Sequence, residues 1–192
     1  MTIFQIVPEE GIGQNLPSVK NTKLASGING NIETIKIMQR VARARASHPL
    51  VRQLALNILL DYDVLSQHYI NEALAIGNFV KEKVRYVRDI QGVETLHDPL
   101  TLIDQIKRGV AQGDCDDISL LIATLLLSIG HSPFYKAVKY KKGIKTYQHI
   151  YVVVFERNPG QKKKREIVLD GILKIKPIGS EVPHAVGKLY KV

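Results

Sequence analysis

The chain has 192 residues, of which 45% are hydrophobic, with one cysteine and no tryptophan. This length supports one domain with its own core and a smaller addition, and a single cysteine excludes an internal disulfide framework. No apolar run approaches the roughly 18 residues of a transmembrane helix, so we predict no membrane span. Residues 1–10 lack the basic and apolar regions of a signal peptide, and we therefore expect folding in a reducing cytoplasm.

The net charge of +9 is concentrated in one region. Residues 136–165 hold ten lysines and arginines against Glu156 alone, whereas the rest of the chain has 17 basic and 17 acidic residues. Such an excess indicates an anionic partner or substrate, while solvated loops that protect edge strands are an equally valid interpretation. The anion-binding candidates are Lys141, Lys142, Lys145, Lys162, Lys163, Lys164 and Arg165.

The first half of the chain divides by composition. Residues 8–31 are rich in Gly, Asn, Ser and Pro and show little periodicity, which predicts an irregular arm. Apolar residues at helical spacing begin near Ile32, and a break at Pro49 separates successive helices. We predict four parts: an N-terminal arm (1–31), packed helices (32–83), a core (84–178) and a C-terminal tail (179–192).

The second half changes pattern. After a short helix near 100–108, an apolar run predicts a buried helix that begins at Cys115 and stops at Gly130. Period-two alternation then predicts three antiparallel strands, at 134–140, 146–156 and 166–175. A helix followed by an antiparallel meander indicates an α+β fold.

The cysteine lies in the motif Gly-Asp-Cys-Asp-Asp (113–117), at the first turn of the buried helix. Unpaired N–H groups and the positive end of the helix dipole favour a thiolate there, so we predict a Cys115 pKa below the free value of about 8.5. Asp114, Asp116 and Asp117 oppose this by charge repulsion unless they are paired or point away. We expect these aspartates chiefly to cap the helix.

A histidine and an aspartate on neighbouring strands complete a candidate set for acyl transfer. If Glu156 pairs near Arg165, paired positions in the two strands sum to about 321, and Asp170 falls within two residues of the position opposite His149. Nucleophilic acyl chemistry needs a thiol, a base and a group that orients the base. Cys115, His149 and Asp170 are in the right order for those roles.

Other interpretations of these residues stay open. His97 is not excluded as the base by its spacing. Cys115 is also typical of a small buried apolar residue, and His149 of an ordinary strand residue. Asp170 and Gly171 are also typical of a turn. A metal site built from Cys115, His149 and Asp170 lacks a supporting CxxC or HxxxH pair, so we predict no metal and no cofactor.

Residues 84–175 combine several of these features in one order. They are the Gly-Asp-Cys-Asp-Asp motif, an apolar helix ending in glycine, a strand bearing His149 and a strand ending in Leu169-Asp170, with Tyr86 and Asp98-Pro99 upstream. This order resembles the transglutaminase-like superfamily, and it is most similar to the short members encoded by tailed phages and prophages.

The resemblance implies a papain-related α+β fold, with the cysteine on a central helix packed against an antiparallel sheet. It implies Cys115 as nucleophile, His149 as base and Asp170 as the group that orients the base. Many transglutaminases place a tryptophan by the oxyanion, and this chain has none. The oxyanion donors would then be the Cys115 N–H and a side chain such as Gln112 or Gln148.

We therefore predict a thiol-dependent acyl-transfer enzyme, a peptide or amide hydrolase rather than a cross-linker, with a protein, peptide or cell-wall peptide as substrate. The alternative is a catalytically idle fold that serves in virion assembly or binding and docks through its arm and basic loops. The resemblance to phage proteins implies the bacterial host cytoplasm or the virion as the location. A nucleic-acid partner would rest on the lysine loops alone, without an aromatic stacking platform.

Overall fold

The structure, a computed structural model, describes residues 2–7, 22–64, 68–89, 93–156 and 165–192. Within these ranges the helices are α1 (Ile28–Ala46), α2 (Pro49–Asp61), α3 (Tyr69–Lys83), α4 (Pro99–Lys107) and α5 (Cys115–Ser128). The strands are β1 (Thr2–Val7), β2 (Thr22–Leu24), β3 (Arg85–Tyr86), β4 (Val93–His97), β5 (Gln112–Gly113), β6 (Phe134–Lys139), β7 (His149–Phe155), β8 (Glu166–Leu169) and β9 (Val186–Lys191). None of the described helices is long and apolar enough to cross a membrane.

Helix α5 lies at the centre of the molecule. It contacts all four other helices and also strand β7. Every residue from Asp117 to Leu126 is buried, as a helix that is apolar on all sides requires. Two of its buried hydroxyls bind within the helix, since Thr124 donates to the carbonyl of Leu120 and Ser128 to that of Leu125, each at 2.7 Å. The prediction of an α+β fold, with the cysteine-bearing helix packed on an antiparallel sheet and with added N-terminal helices, is confirmed.

The starts and stops of the helices follow from local sequence. Asp98 caps α4 by accepting the N–H of Leu100, with Pro99 at the first helical position. Asp114 caps α5 in the same way, through a capping box with Asp117. Gly130 ends α5 with a φ of 87°, a conformation that glycine adopts without strain.

The large sheet has the strand order β8-β7-β6-β9 and is antiparallel throughout. Phe155 pairs with Glu166 and Val152 with Leu169, which is the register predicted from the sequence. Alternation along β7 directs Val152 into the core beneath α5 and Tyr151 to the opposite face of the sheet. The register brings the first residue of β7, His149, next to the chain that leaves β8.

Two ends of the chain differ from the prediction. The segment 1–31, predicted to be an irregular arm, contains β1, β2 and the first turn of α1, which begins at Ile28 rather than Ile32. Strand β1 pairs in parallel with β4, more than 80 residues later in sequence. Local composition carries no information about such a distant partner, so the arm prediction was wrong for these strands. Residues 8–21 of the arm lie outside the described residues.

The C-terminal segment 179–192, predicted to be a tail, contributes the edge strand β9. Its residues pair with β6 from Phe134↔Lys191 to Lys139↔Val186. Most β9 side chains are exposed, so the apolar alternation that would identify a strand is weak. The strand predicted at 166–175 is shorter in the structure, where β8 ends at Leu169.

Candidate functional site

His149 and Asp170 form a buried pair at one end of the large sheet. Nε2 of His149 lies 2.8 Å from Oδ2 of Asp170, and both side chains are almost fully buried. The other carboxylate oxygen of Asp170 accepts the N–H of Ile172 at 3.2 Å. An ionised carboxylate only accepts hydrogen bonds, so Nε2 carries the proton in a neutral ring. Nδ1 of His149 then has the lone pair that a general base needs.

A glycine brings this pair close to helix α5. A Cβ on Gly171 would lie 2.6 Å from Cγ2 of Ile118, closer than side-chain carbons approach one another. Ile118 is β-branched and buried, and it cannot easily rotate away. The glycine after Asp170 therefore lets the end of β8 pack directly on the first turns of α5.

Cys115 occupies the first position of α5 and is partly buried. Its sulfur accepts a hydrogen bond from the N–H of Ile150, the residue that follows His149. One turn further along α5, the hydroxyl of Ser119 donates to the carbonyl of Ile150 at 3.1 Å. Both polar groups of Ile150 thus bind the start of the helix, and they hold the thiol beside the first residues of β7.

The thiol also donates to Oδ1 of Asp116, at 3.3 Å. Burial raises the pKa of Cys115 well above its ordinary value, and Asp116 and Asp114 raise it further, while the Ile150 N–H lowers it. The predicted low thiol pKa is therefore wrong. The helix N-terminus contributes only a fraction of a charge, and desolvation together with two neighbouring carboxylates outweighs it.

The three aspartates of the motif have different roles. Asp114 caps the helix, and its Oδ1 accepts the N–H groups of Asp116 and Asp117 at 2.9 and 3.3 Å. Burial raises the pKa of Asp114 to about 8, and the charges of Asp117 and Asp89 add to that rise. The predicted capping role is confirmed for Asp114 and for Asp117, which completes the capping box.

Asp117 is also the partner of His97, the other candidate base. Its carboxylate is fully buried. Oδ1 accepts the backbone N–H of His97 at 2.7 Å, and Oδ2 lies 2.8 Å from Nδ1 of the His97 ring. The hydrogen bond that the His97 ring makes to the Asp117 carboxylate raises the pKa of His97, although burial opposes the rise. A Cβ on Gly113 would lie 2.7 Å from Cβ of Asp117, so glycine is required there. The sequence did not identify this buried pair, because nothing local links β4 to α5.

The two oxyanion candidates, Gln148 and Gln112, are exposed side chains. Gln148 is exposed, precedes His149, and its Oε1 accepts the N–H of Tyr140 at 3.1 Å. Gln112 is exposed on β5, where its backbone pairs with Arg85. Both glutamines therefore stay predictions.

The basic candidates that the structure describes lie at the two ends of β7. Lys141, Lys142 and Lys145 lie in the loop between β6 and β7, beside His149. Arg165 precedes β8 and lies near the opposite end of β7, since its carbonyl accepts the N–H of Glu156. The two ends of a seven-residue strand are about 20 Å apart. The remaining candidates, Lys162, Lys163 and Lys164, lie outside the described residues.

Possible metal ligands lie close together in the Gly-Asp-Cys-Asp-Asp motif (113–117). Among the described residues, ligand atoms of Asp114, Cys115 and Asp116 lie within 4.8 Å of one another. These groups already bond to the helix N-terminus and to each other, and no further observation points to an ion there. The metal site considered from the sequence, with Cys115, His149 and Asp170, is a different set.

Comparison with known proteins gives distant structural likenesses. No protein-family model matches the sequence, and no curated protein matches it. Among solved structures, a protein of Cytophaga hutchinsonii described as a "putative cysteine protease" is similar at 13% identity and a TM-score of 0.42. That alignment covers 73% of this chain and 46% of the other, so the chain spans less than half of that protein. Legionella pneumophila LapG is similar at 14% identity and a TM-score of 0.41, over 80% of this chain and 74% of LapG.

Proposed function

We propose that the protein is a thiol-dependent acyl-transfer enzyme of the transglutaminase-like type, acting as a peptide or amide hydrolase. Cys115 would be the nucleophile, His149 the general base and Asp170 the group that orients the base. The observation that carries the proposal is the buried pair of His149 and Asp170, 2.8 Å apart, on the strand segment whose next residue hydrogen-bonds the thiol. This combination is the chemical requirement for activating a sulfur nucleophile.

The reaction begins with a neutral thiol, because burial and Asp116 raise the pKa of Cys115. As the sulfur attacks the substrate carbonyl carbon, Nδ1 of His149 takes its proton, and Asp170 stabilises the imidazolium. The imidazolium then protonates the departing amine, the C–N bond breaks, and a thioester remains on Cys115. Water, deprotonated by the same imidazole, attacks the thioester; the C–S bond breaks, the imidazolium returns the proton to the sulfur, and the carboxylic acid is released.

The negative charge that develops on the carbonyl oxygen needs hydrogen-bond donors. The N–H groups in the first turn of α5 are candidates, because a helix N-terminus leaves such groups without intrahelical acceptors. Asp114 already binds the N–H groups of Asp116 and Asp117, which leaves the N–H of Cys115 itself. The carboxamide of Gln148 or Gln112 would supply the second donor.

Hydrolysis and cross-linking share the thioester and differ in the acceptor that opens it. The proposal favours hydrolysis of a protein, peptide or cell-wall peptide. The test is to incubate wild type and Cys115→Ala with candidate peptide amides, with and without a fluorescent primary amine. New carboxyl termini formed by wild type alone support hydrolysis, and amine incorporation indicates transfer. Equal product with a folded Cys115→Ala contradicts the proposal.

One observation favours the alternative of a catalytically idle fold used in assembly or binding. The thiol donates its hydrogen bond to Asp116, and its pKa is raised, so the resting site holds an unactivated sulfur. In that case the basic loop after Tyr140 would bind an anionic partner such as a virion component. Co-purification of that partner with both wild type and Cys115→Ala, without turnover, would support this alternative.

A further inference from the structure

Strand β9 forms one edge of the large sheet and pairs on one side only, with β6. The N–H of Val192 donates to the carbonyl of Pro133 at 3.1 Å, which fixes the order of hydrogen-bonded pairs along the two strands. Alternation then directs the backbone N–H and C=O groups of Tyr190 and Lys188 toward β6, and those of Leu189 away from the sheet. The outer side of β9 is therefore open to another strand.

The outward backbone groups of β9 are accessible and able to bind. Gln39 of α1 donates its side-chain amide to the carbonyl of Lys191, the last outward residue of the strand, at 2.7 Å. Leu189 is 40% exposed, and Gly187, the outward residue before it, is exposed as well. Outside β6, none of the described residues hydrogen-bonds the backbone of Leu189 or Gly187. An extended chain laid along β9 would satisfy these groups, as a neighbouring strand does within a sheet.

The lysines beside this edge carry uncompensated charge. The ammonium of Lys188 lies 5.3 Å from the ring centroid of Tyr190, and that of Lys139, at the end of β6, lies 5.4 Å from the ring centroid of Tyr147. Lys139 also donates to the carbonyl of Lys145 at 3.4 Å, which leaves its charge in place. Within the part of the chain that the structure describes, no carboxylate forms an ion pair with Lys188 or Lys139. The aromatic rings hold two ammonium groups that attract an anionic partner.

A lysine on the opposite face of the sheet shows the contrast. Lys136 is bound by Glu166 at 2.7 Å and by Glu181 at 2.5 Å, so the fold neutralises a lysine that serves only the structure.

The same charges argue against a second copy of this chain as the partner. Pairing two β9 strands would bring Lys188 and Lys191 of one copy beside those of the other, and like charges on neighbouring strands are destabilising. Lysines on an edge strand also discourage pairing with neutral strands. A strand that carries carboxylates is the one that this edge favours.

We propose that β9 binds an extended acidic segment of a partner protein, which adds to the large sheet as a further strand. An acidic residue of that segment lies opposite Lys188, on the face of the sheet toward α1, and an apolar residue lies opposite Leu189 on the other face. No residue of β9 takes part in the proposed reaction of Cys115. Binding is therefore expected to be the same in wild type and in Cys115→Ala, whatever the outcome for the proposed activity.

The first test isolates the backbone of β9. The probe is a short fluorescein-labelled peptide in which Glu and Val alternate, and its binding is followed by fluorescence anisotropy at low salt. Leu189→Pro removes the outward N–H and leaves the bonds to β6, so it should weaken binding about tenfold, whereas Leu189→Ala keeps the N–H and should stay within about threefold of wild type. The same peptide with methylated backbone nitrogens should not bind wild type, a comparison that needs no variant to fold. Equal affinity of the two variants, or unchanged binding of the methylated peptide, overturns the proposal.

The second test concerns charge. Lys188→Glu should weaken binding of the Glu–Val peptide about three- to tenfold, and the matched control Lys107→Glu, at an exposed lysine of α4, should stay within about twofold of wild type. An equal loss in both variants overturns the proposal. So does a single-stranded oligonucleotide that binds more tightly than the peptide and is unaffected by Leu189→Pro, because this indicates general attraction of polyanions. A wild-type dimer that Leu189→Pro dissociates would assign the edge to a second copy and overturn the proposal as well.

Discussion

Nε2 of His149 lies 2.8 Å from Oδ2 of Asp170, beyond the last paired residues of β7 and β8. Both side chains are almost fully buried. Burying such a pair costs desolvation energy that its attraction only about balances, so stability alone gives little reason to hold it there. The proposed role of His149 as a general base would explain why the pair is buried, because that role needs a fixed ring with one unprotonated nitrogen.

Asp170→Asn should abolish most of the activity without unfolding the protein. The amide retains the shape of the side chain and a contact with the ring, but it favours the wrong tautomer of His149 and no longer stabilises the imidazolium. We expect turnover to fall about 10²- to 10⁴-fold. Turnover and thermal unfolding are compared with those of Asp104→Asn, which removes a partly exposed carboxylate paired with Arg108. Equal activity of the two variants would rule out the orienting role.

Asp116→Asn should make the thiol more reactive. Asp116 raises the pKa of Cys115 both by its charge and by accepting the thiol hydrogen bond, so the neutral amide lowers that pKa. We expect iodoacetamide to modify the variant about three- to tenfold faster at pH 7. Asp104→Asn again supplies the control for loss of one charge. A slower rate in Asp116→Asn would show that the carboxylate assists the thiol rather than opposing it.

Asp114→Asn should weaken the dependence of stability on pH. The pKa of Asp114 rises from 3.8 to about 8 on folding, so the folded state binds more protons across that window and wild-type stability falls as pH increases through it. His97, whose pKa is also raised, contributes in the same direction above its unfolded value and is present in both proteins. Asparagine caps helices as well as aspartate does. Urea midpoints at pH 5.5 and pH 8 should therefore differ less in the variant, and an equal or larger difference contradicts the assignment.

Gly171→Ala should destabilise the protein through one contact. The new methyl group would lie 2.6 Å from Cγ2 of Ile118, and relieving that overlap costs about 1–3 kcal/mol. The same substitution in an Ile118→Ala background should cost clearly less, because the opposing methyl is gone. Urea unfolding of the four proteins gives the coupling energy. Additive effects would show that Gly171 is needed for its backbone rather than for close packing.

The sequence was informative where the relationship is local or follows from strand pairing. A hairpin pairing of Glu156 near Arg165 was enough to predict that Asp170 lies close to His149, because antiparallel register transmits along both strands. The helix that begins at Cys115 was predicted from its cap and its apolar run in the same way. These features depend on fewer than 25 residues of chain.

Features that depend on distant partners could not be predicted. The burial of Asp117 against His97 requires β4 and α5 to meet, and the raised pKa of Cys115 depends on the environment that this packing creates. The role of β9 is hidden for a similar reason, since an exposed edge strand has no apolar stripe and its partner β6 lies about 50 residues earlier.

The central claim, that His149 activates Cys115, is tested most directly by the pH dependence of iodoacetamide modification in wild type, His149→Ala and the exposed control His68→Ala. If the His149 imidazole takes the thiol proton, the exposed His68 has no part in the reaction, and wild type and His68→Ala should react at the same rate. His149→Ala should then react about tenfold or more slowly at pH 7, with its profile displaced to higher pH. That displacement reflects a thiol whose pKa burial and Asp116 raise well above its ordinary value. Superimposable profiles for all three proteins would contradict a functional pair of Cys115 and His149.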